Sequence, residues 1–166
     1  MNGTDPFDAK PQNSERRNLV CLDANLLLVF LVGMLDPAWI ADFKRTRTIG
    51  RTGFEILLDS LPSAGRPVCT ASVLAEVSNL APQRWTEAFH SAMRAWVEVV
   101  PDQPVEPKSA VSASCFDTLG YADASLWRLA EAGITVMTVD FPLANRLAQA
   151  GLPVVNFNHL LSDFIE

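Results

Sequence analysis

Residues 133–157 read GITVMTVDFPLANRLAQAGLPVVNF, and this stretch decides the fold class. The apolar run from Ile134 to Val139 predicts a strand, and a helical pattern follows from Leu143 to Ala150. A second short apolar run, Val154 to Phe157, predicts another strand. Because a helical pattern also ends at Gly133, the order is helix, strand, helix, strand, which is typical of α/β proteins with a parallel sheet.

The first half of the chain predicts the same architecture. Leu19 to Leu22 is a continuous apolar run, typical of a strand buried on both faces, and Leu26 to Leu35 predicts a buried helix. A second helix is predicted from Phe54 to Leu61. Pro67 to Cys69 then predicts a strand, which leads into the helix that carries Glu76. We therefore expect a three-layer α/β/α sandwich with a mostly parallel central sheet of four or five strands.

The chain divides into a short leader and one domain. Residues 1–18 are polar, with Phe7 as their main apolar side chain, which is too little burial to offset the entropy of ordering them. The whole chain has 166 residues, of which 49% are hydrophobic, and this is enough for one core. We expect a flexible polar leader over 1–18 and a single domain over 19–166.

The net charge of -6 excludes a generally basic nucleic-acid coat. A polyanion would have to meet a bound cation or a local basic patch. The only dense basic cluster is Lys44, Arg45, Arg47 and Arg51, here called the basic segment. It is the predicted anchor for RNA phosphates, and the alternative is that it is solvated surface.

Cysteine usage and hydropathy both favour a cytoplasmic protein without a membrane span. The three cysteines are an odd number and form no CxxC pair, which argues against a disulfide scaffold and a zinc ribbon. The longest apolar stretch, Leu19 to Leu35, is broken by Asp23, and its uninterrupted part is shorter than the roughly 20 residues that cross a bilayer.

Trp85, Phe89 and Trp96 recur at helical spacing. This stripe predicts either core or a homodimer interface. His90 and His159 lie in partly apolar helical settings without the neighbours that zinc or serine chemistry needs, so we interpret both as surface or core histidines.

Four acidic residues are predicted to meet at one edge of the sheet. Asp23 and Asp140 directly follow predicted strands, and in open parallel sheets ligands bind beyond the carboxyl ends of the strands. Asp123 and Glu76 lie on helices that begin at the same edge. Because clustered carboxylates repel one another, such a group is stabilised by a cation, and oxygen ligands suit Mg²⁺ or Mn²⁺.

Each acid also has a purely structural interpretation. Asp23 can cap the helix that follows it, and Asp140 can open the turn before its helix. Asp123 can complement a helix dipole, and Glu76 can simply be solvated. These alternatives are individually reasonable, but all four would have to hold together.

Four segments resemble, in order and spacing, the signature stretches of the PIN-domain ribonucleases. The match runs from about Leu19 to the C-terminus and includes the closing GLPVVNF. The segments are LDANLL (22–27), ASVLAEV (71–77), LGYADASL (119–126) and TVDFPLAN (138–145).

The resemblance implies a divalent-metal-dependent endoribonuclease. It implies that Asp23, Glu76, Asp123 and Asp140 hold Mg²⁺ or Mn²⁺ and that the metal activates water to cleave an RNA phosphodiester. Asn25 and Thr138 match small polar positions of the family, which implies that they orient the carboxylates. Many members of this family are VapC-like toxins of type II toxin–antitoxin pairs, so an antitoxin partner is a further expectation. The polar leader and the basic segment are additions to that pattern.

Other classes of protein are less consistent with the sequence. A haloacid-dehalogenase-type phosphatase needs a second acid where Asn25 stands, and a receiver domain needs paired acids upstream of Asp23. No glycine-rich nucleotide loop is present. The remaining alternative is a catalytically silent PIN-fold module that binds a protein or RNA partner.

Overall fold

The computed structural model describes residues 18–163, and four strands within them form one sheet. The strands are β1 (Leu19–Leu22), β2 (Arg66–Val68), β3 (Thr135–Thr138) and β4 (Val154–Asn156). Their order across the sheet is β2-β1-β3-β4, and every neighbouring pair is parallel. The predicted α/β class with a parallel sheet is therefore confirmed, and all four carboxyl ends lie at one edge.

Ten α-helices connect and flank the strands within the described residues, an arrangement compatible with the expected three layers. They are α1 (Ala24–Leu35), α2 (Trp39–Asp42), α3 (Gly50–Ala64), α4 (Ala71–Asn79), α5 (Thr86–Val99), α6 (Pro107–Val111), α7 (Phe116–Leu119), α8 (Tyr121–Glu131), α9 (Phe141–Gln149) and α10 (Phe157–Asp163).

Strand β1 and helix α1 form the centre of the core. Val20 and Cys21 of β1 are fully buried, as are Leu26 and Leu28 of α1. Helix α1 is apolar on nearly all sides because α3, α4 and α5 all contact it. Each buried leucine contributes about 1.5–3 kcal/mol relative to exposure, so the core holds both the strand and the start of the following helix in place.

Both boundaries of the second predicted helix are wrong. The helix predicted over Phe54 to Leu61 begins at Gly50 and runs through Pro62 to Ala64. The earlier start was missed because residues 50–53, Gly-Arg-Thr-Gly, are polar or small and give no apolar signal. Pro62 is tolerated because its missing N–H removes one hydrogen bond only in the last turn. Gly65, at φ 136°, then ends the helix.

The tryptophan stripe is divided between two elements. Phe89 and Trp96 are buried on α5, as a core stripe requires. Trp85 instead belongs to a 3₁₀ turn before the helix and stacks on Trp39 at 4.5 Å between ring centroids. The homodimer interface stays a prediction.

Residues 1–17 of the predicted leader lie outside the described residues. Asn18, its last residue, accepts a hydrogen bond from the Arg66 amide at 2.7 Å. All three cysteines are buried and free. Among residues 18–163, no helix combines the length and apolar character that a membrane crossing requires.

Candidate functional site

Asp23 is the most deeply held of the four acids. It follows β1 directly, it is 5% exposed, and its amide extends the ladder by donating to the Met137 carbonyl at 2.9 Å. Oδ1 accepts from the Leu26 amide at 2.7 Å and so caps α1. Oδ2 accepts from the Val139 amide at 2.9 Å and from the Thr138 hydroxyl. Burial raises the pKa of Asp23, the three hydrogen bonds oppose that rise, and nearby Asp140 adds to it.

Thr138 connects two of the acids. Its fully buried hydroxyl donates to Asp23 and accepts from the Asp140 amide at 2.9 Å. Thr138, at the end of β3, therefore fixes both the carboxylate of Asp23 and the backbone of Asp140. This is the contact expected of a residue that orients carboxylates.

Asp140 is half-buried and caps α9. Its Oδ1 accepts from the Leu143 amide at 2.8 Å, and the helix continues from Phe141 with Pro142 in its first turn. Within residues 18–163, its Oδ2 accepts no hydrogen bond. The capping role explains one carboxylate oxygen and leaves the other available to a ligand.

Asp123 is in the first turn of α8, which begins immediately after Gly120. That glycine has φ 87°, a left-handed conformation that lets α7 end and α8 start at one residue. The pKa of Asp123 is raised to about 7, mainly by burial and then by the negative charges of Asp140, Glu76 and Asp23 in that order. The other three predicted acids are thus close enough to Asp123 to act on it electrostatically.

Glu76 approaches from a fourth element. It is exposed on α4, the helix that contacts α8. Helix α4 starts at the carboxyl end of β2, where Thr70 accepts from the Ser72 amide at 3.2 Å and caps it. Two strand ends and two helices therefore supply one carboxylate each.

No basic side chain of the described chain neutralises this group. The two ion pairs within residues 18–163 are Arg51–Glu55 at 3.0 Å and Arg128–Glu131 at 2.5 Å, and neither includes a site acid. Carboxylates that accumulate without a cationic partner are stabilised by protonation, as at Asp123, or by a bound cation.

The donor set fits Mg²⁺ or Mn²⁺ in its chemistry but is not closed around an ion. All four donors are carboxylates, which both ions prefer. Among residues 18–163, no three Asp, Glu, His or Cys side chains stand as a ready-made metal site. Helix α4 presents Glu76 to solvent.

A group of asparagines at the start of α10 was not anticipated from the sequence. The side-chain Nδ2 of Asn158 donates to the Val139 carbonyl at 2.8 Å and to Asn156 Oδ1 at 2.9 Å. Val139, which directly precedes Asp140, thus bonds Asp23 through its backbone N–H and Asn158 through its carbonyl. Its only sequence signal is polarity directly after β4. His159, which is exposed, lies 3.4 Å from Asn156.

The other predicted site residues lie around the carboxylates without bonding them. Asn25 is exposed, and among residues 18–163 its side chain has no hydrogen bond; its orienting role stays a prediction. The basic segment is exposed: Lys44, Arg45 and Arg47 lie between α2 and α3, and Arg51 lies in the first turn of α3. A Cβ on Gly53 would lie 3.1 Å from Leu161, so the start of α3 packs on α10, which follows the carboxyl end of β4.

Comparison with protein-family models, curated proteins and solved structures finds no match to this chain. The resemblance to PIN-domain ribonucleases therefore rests on the four quoted segments.

Proposed function

We propose that the chain is a PIN-like, divalent-metal-dependent endoribonuclease that hydrolyses RNA phosphodiester bonds. The observation that carries the proposal is the gathering of four carboxylates from four elements at one sheet edge, with no ion pair to any of them in the described residues. Such an arrangement stores repulsion that a cation relieves. Helix capping accounts for Asp23 and Asp140, but neither Glu76 nor Asp123 caps a helix of the described chain.

The protein's own part in the reaction is positioning. Asp23, Glu76, Asp123 and Asp140 would hold the ion, which when bound lowers the pKa of a water and stabilises charge on the phosphate. Asp23 is the fixed member because three hydrogen bonds hold it. Asp140 keeps its orientation through the cap of α9. Asp123 can carry a proton near neutral pH and release it when cationic charge arrives.

RNA cleavage with matched variants tests this proposal. A labelled RNA is incubated with Mn²⁺ or Mg²⁺ and with the wild type, Asp123→Asn or Asp117→Asn. Asp117 is an exposed acid on the adjacent helix α7, so its substitution removes the same charge outside the site. We expect the wild type and Asp117→Asn to cleave, and Asp123→Asn to lose at least about 100-fold. Equal cleavage by all three proteins would refute the proposal.

A catalytically silent module is the second candidate. Asp23 and Asp140 each cap a helix, so helix capping alone can explain why an aspartate stands at both positions. Such a module would act through a protein or RNA partner and would bind divalent ions weakly. A toxin role adds an antitoxin partner to the first candidate, and expression in cells tests it: growth arrest should require Asp123 and not Asp117.

A further inference from the structure

The side chain of Asn158 connects helix α10 to the end of strand β3. Asn158 is the second residue of α10 and is half-buried. Its Nδ2 group carries two N–H donors, and both are used. One bonds the Val139 carbonyl at 2.8 Å, and the other bonds Asn156 Oδ1 at 2.9 Å. The side chain is therefore held at two points.

The bonded carbonyl lies just beyond the last registered pair of the sheet. The pairing of β3 with β4 ends at Thr138 and Asn156, because the chain enters α10 at Phe157. Val139 is the next residue of β3's path, and its carbonyl takes a side-chain donor from Asn158 in place of a strand N–H. Asn158 thus extends the order of the sheet by one residue.

Anchoring of α10 does not require this bond. Asn156 Oδ1 already accepts from the Asn158 backbone N–H at 3.1 Å, as an N-cap side chain does. Phe157 is fully buried and fixes the start of the helix in the core. Removal of the Asn158 side chain would therefore leave α10 with its cap and its apolar anchor.

The peptide group between Val139 and Asp140 is fixed at both of its polar atoms. Its carbonyl oxygen accepts from Asn158, and its N–H donates to the Thr138 hydroxyl at 2.9 Å. Because a peptide group is planar, two such bonds set the direction in which the chain enters Asp140. Loss of the Asn158 bond would free one side of this peptide group.

The same residue carries the N–H that holds Asp23. The Val139 N–H donates to Asp23 Oδ2 at 2.9 Å. Val139 therefore bonds an acid on one side and Asn158 on the other, so Asn158 can influence the spacing of Asp23 and Asp140. Groups that orient the ligands of a metal typically contribute about 10- to 100-fold to metal affinity or activity.

We propose that Asn158 is a positioning residue: through the peptide group between Val139 and Asp140, it keeps the carboxylates of Asp23 and Asp140 at the spacing that a bound ion requires. This inference rests on the proposed function. It assigns a role to a side chain that acts on the acids through the backbone, and it can fail while the nuclease activity stands.

Binding of Mn²⁺ and cleavage of a labelled RNA by the wild type, Asn158→Ala and Asn145→Ala test the proposal. Asn145 is an exposed asparagine on α9, so its substitution removes the same group outside this network. Free Mn²⁺ is measured by its electron paramagnetic resonance signal, and circular dichroism checks that each variant is folded. We expect Asn158→Ala to bind Mn²⁺ about 10-fold more weakly or worse. Its kcat should fall by about 10- to 100-fold, with the KM for RNA changed little.

Two comparisons separate positioning from a general structural role. Asn158→Gln retains the amide on a longer side chain and should recover part of both losses, whereas Asn145→Ala should match the wild type. Unchanged Mn²⁺ affinity and kcat in Asn158→Ala would overturn the inference and leave the nuclease proposal intact, and so would an equal loss in Asn145→Ala. A wild type that neither binds Mn²⁺ nor cleaves RNA would overturn the proposed function and the inference with it.

Solvent exchange of the Asn158 side-chain amide hydrogens, measured by NMR on the wild type, provides a test that needs no variant. Both hydrogens are bonded, so they should exchange more slowly than those of Asn145. Coupling between two events is reciprocal, so a bond that raises metal affinity must be strengthened by the metal. We therefore expect Mg²⁺ to slow the exchange at Asn158 and not at Asn145. Exchange at Asn158 that Mg²⁺ leaves unchanged would overturn the positioning role.

Discussion

At the scale of single residues, the buried carboxylate of Asp23 depends on the donors around it. Its two oxygens accept from Leu26, Thr138 and Val139. An unsatisfied buried acceptor costs about 1–3 kcal/mol, and more when it is charged. The hydroxyl of Thr138 is therefore worth more than an average hydrogen bond.

Thr138→Val tests that dependence. The substitution keeps the shape of the side chain and removes the hydroxyl that donates to Asp23 and accepts from the Asp140 amide. We expect the free energy of unfolding to fall by about 2–3 kcal/mol in urea denaturation, and Mn²⁺ affinity to fall by about 10-fold or more. Thr138→Ser retains the hydroxyl and should recover most of both losses. A valine variant as stable as wild type would show that this hydrogen bond is dispensable.

Asp123 predicts a pH dependence with a definite sign. Its pKa is raised from 3.8 to about 7 in the folded metal-free protein, so between these values the folded state binds more protons than the unfolded state. The contribution of Asp123 to stability is complete below about pH 4 and is lost as pH rises through 7. Melting temperatures of wild type and Asp123→Asn from pH 5 to 8 measure it. The melting temperature of Asp123→Asn should exceed that of the wild type by an amount that grows with pH. A difference that stays constant with pH would contradict the raised pKa of Asp123.

The acids themselves could be predicted from the sequence because strand ends and helix starts are local features. Asp23 and Asp140 each follow an apolar run that is visible without a structure. Of the groups that hold them, the cap of α1 is a local feature and Thr138 is implied by the family resemblance, whereas the Val139 amide and Asn158 could not be predicted. Val139 lies 116 residues from Asp23, and Asn158 reaches Val139 only because β4 lies beside β3.

At the scale of elements, the close approach of α1 and α3 depends on one glycine. A Cβ on Gly33 would lie 2.5 Å from the Cδ2 atom of Phe54, and that ring is buried. In an open helix, replacement of glycine by alanine stabilises by about 1 kcal/mol. Here the added methyl must displace a ring that has little space to move.

Gly33→Ala should therefore destabilise the protein, by about 1–3 kcal/mol from overpacking. The double variant Gly33→Ala with Phe54→Leu should be more stable than the sum of the two single changes predicts. Equilibrium urea unfolding of the four proteins in this cycle measures the coupling. Additive effects would mean that the two helices do not meet at these residues.

Helix boundaries are predicted poorly where the sequence has no apolar periodicity. The apolar run of α1 predicted that helix well, and the helix begins only two residues earlier than predicted. The first turn of α3 has Arg51 paired with Glu55 on an exposed surface, and no apolar residue identifies it. The short helices α2, α6 and α7 are set by tertiary packing and turns, which periodicity over so few residues does not show.

At the scale of the whole molecule, the parallel sheet brings distant segments to one edge, and the net charge of -6 would restrict where the proposed RNA substrate approaches. Lys44, Arg45 and Arg47 have no ion pair within the described residues, and Arg51 shares its charge with Glu55. The start of α3 packs beside α10, and α3 also contacts β1 and β2.

Replacing Arg45, Arg47 and Arg51 together by alanine should weaken RNA binding and flatten its salt dependence. For a single strand, each lost phosphate contact reduces the slope of log K against log salt by about 0.7. A triple variant of Arg66, Arg94 and Lys108, all exposed, removes the same three charges elsewhere. We expect that control to keep the wild-type slope. An equal change of slope in both triple variants would show that the effect comes from net charge alone.

Binding of Mn²⁺ to the four carboxylates tests the central claim most directly. At pH 8 and at about 100 times the dissociation constant, the ion should stabilise the wild type by about 2.7 kcal/mol, or about 5–10 °C in melting temperature. Asp117→Asn should show the same rise, and Asp123→Asn should show little or none. A rise of equal size in Asp123→Asn, or no rise in the wild type, would contradict a metal site at this edge of the sheet.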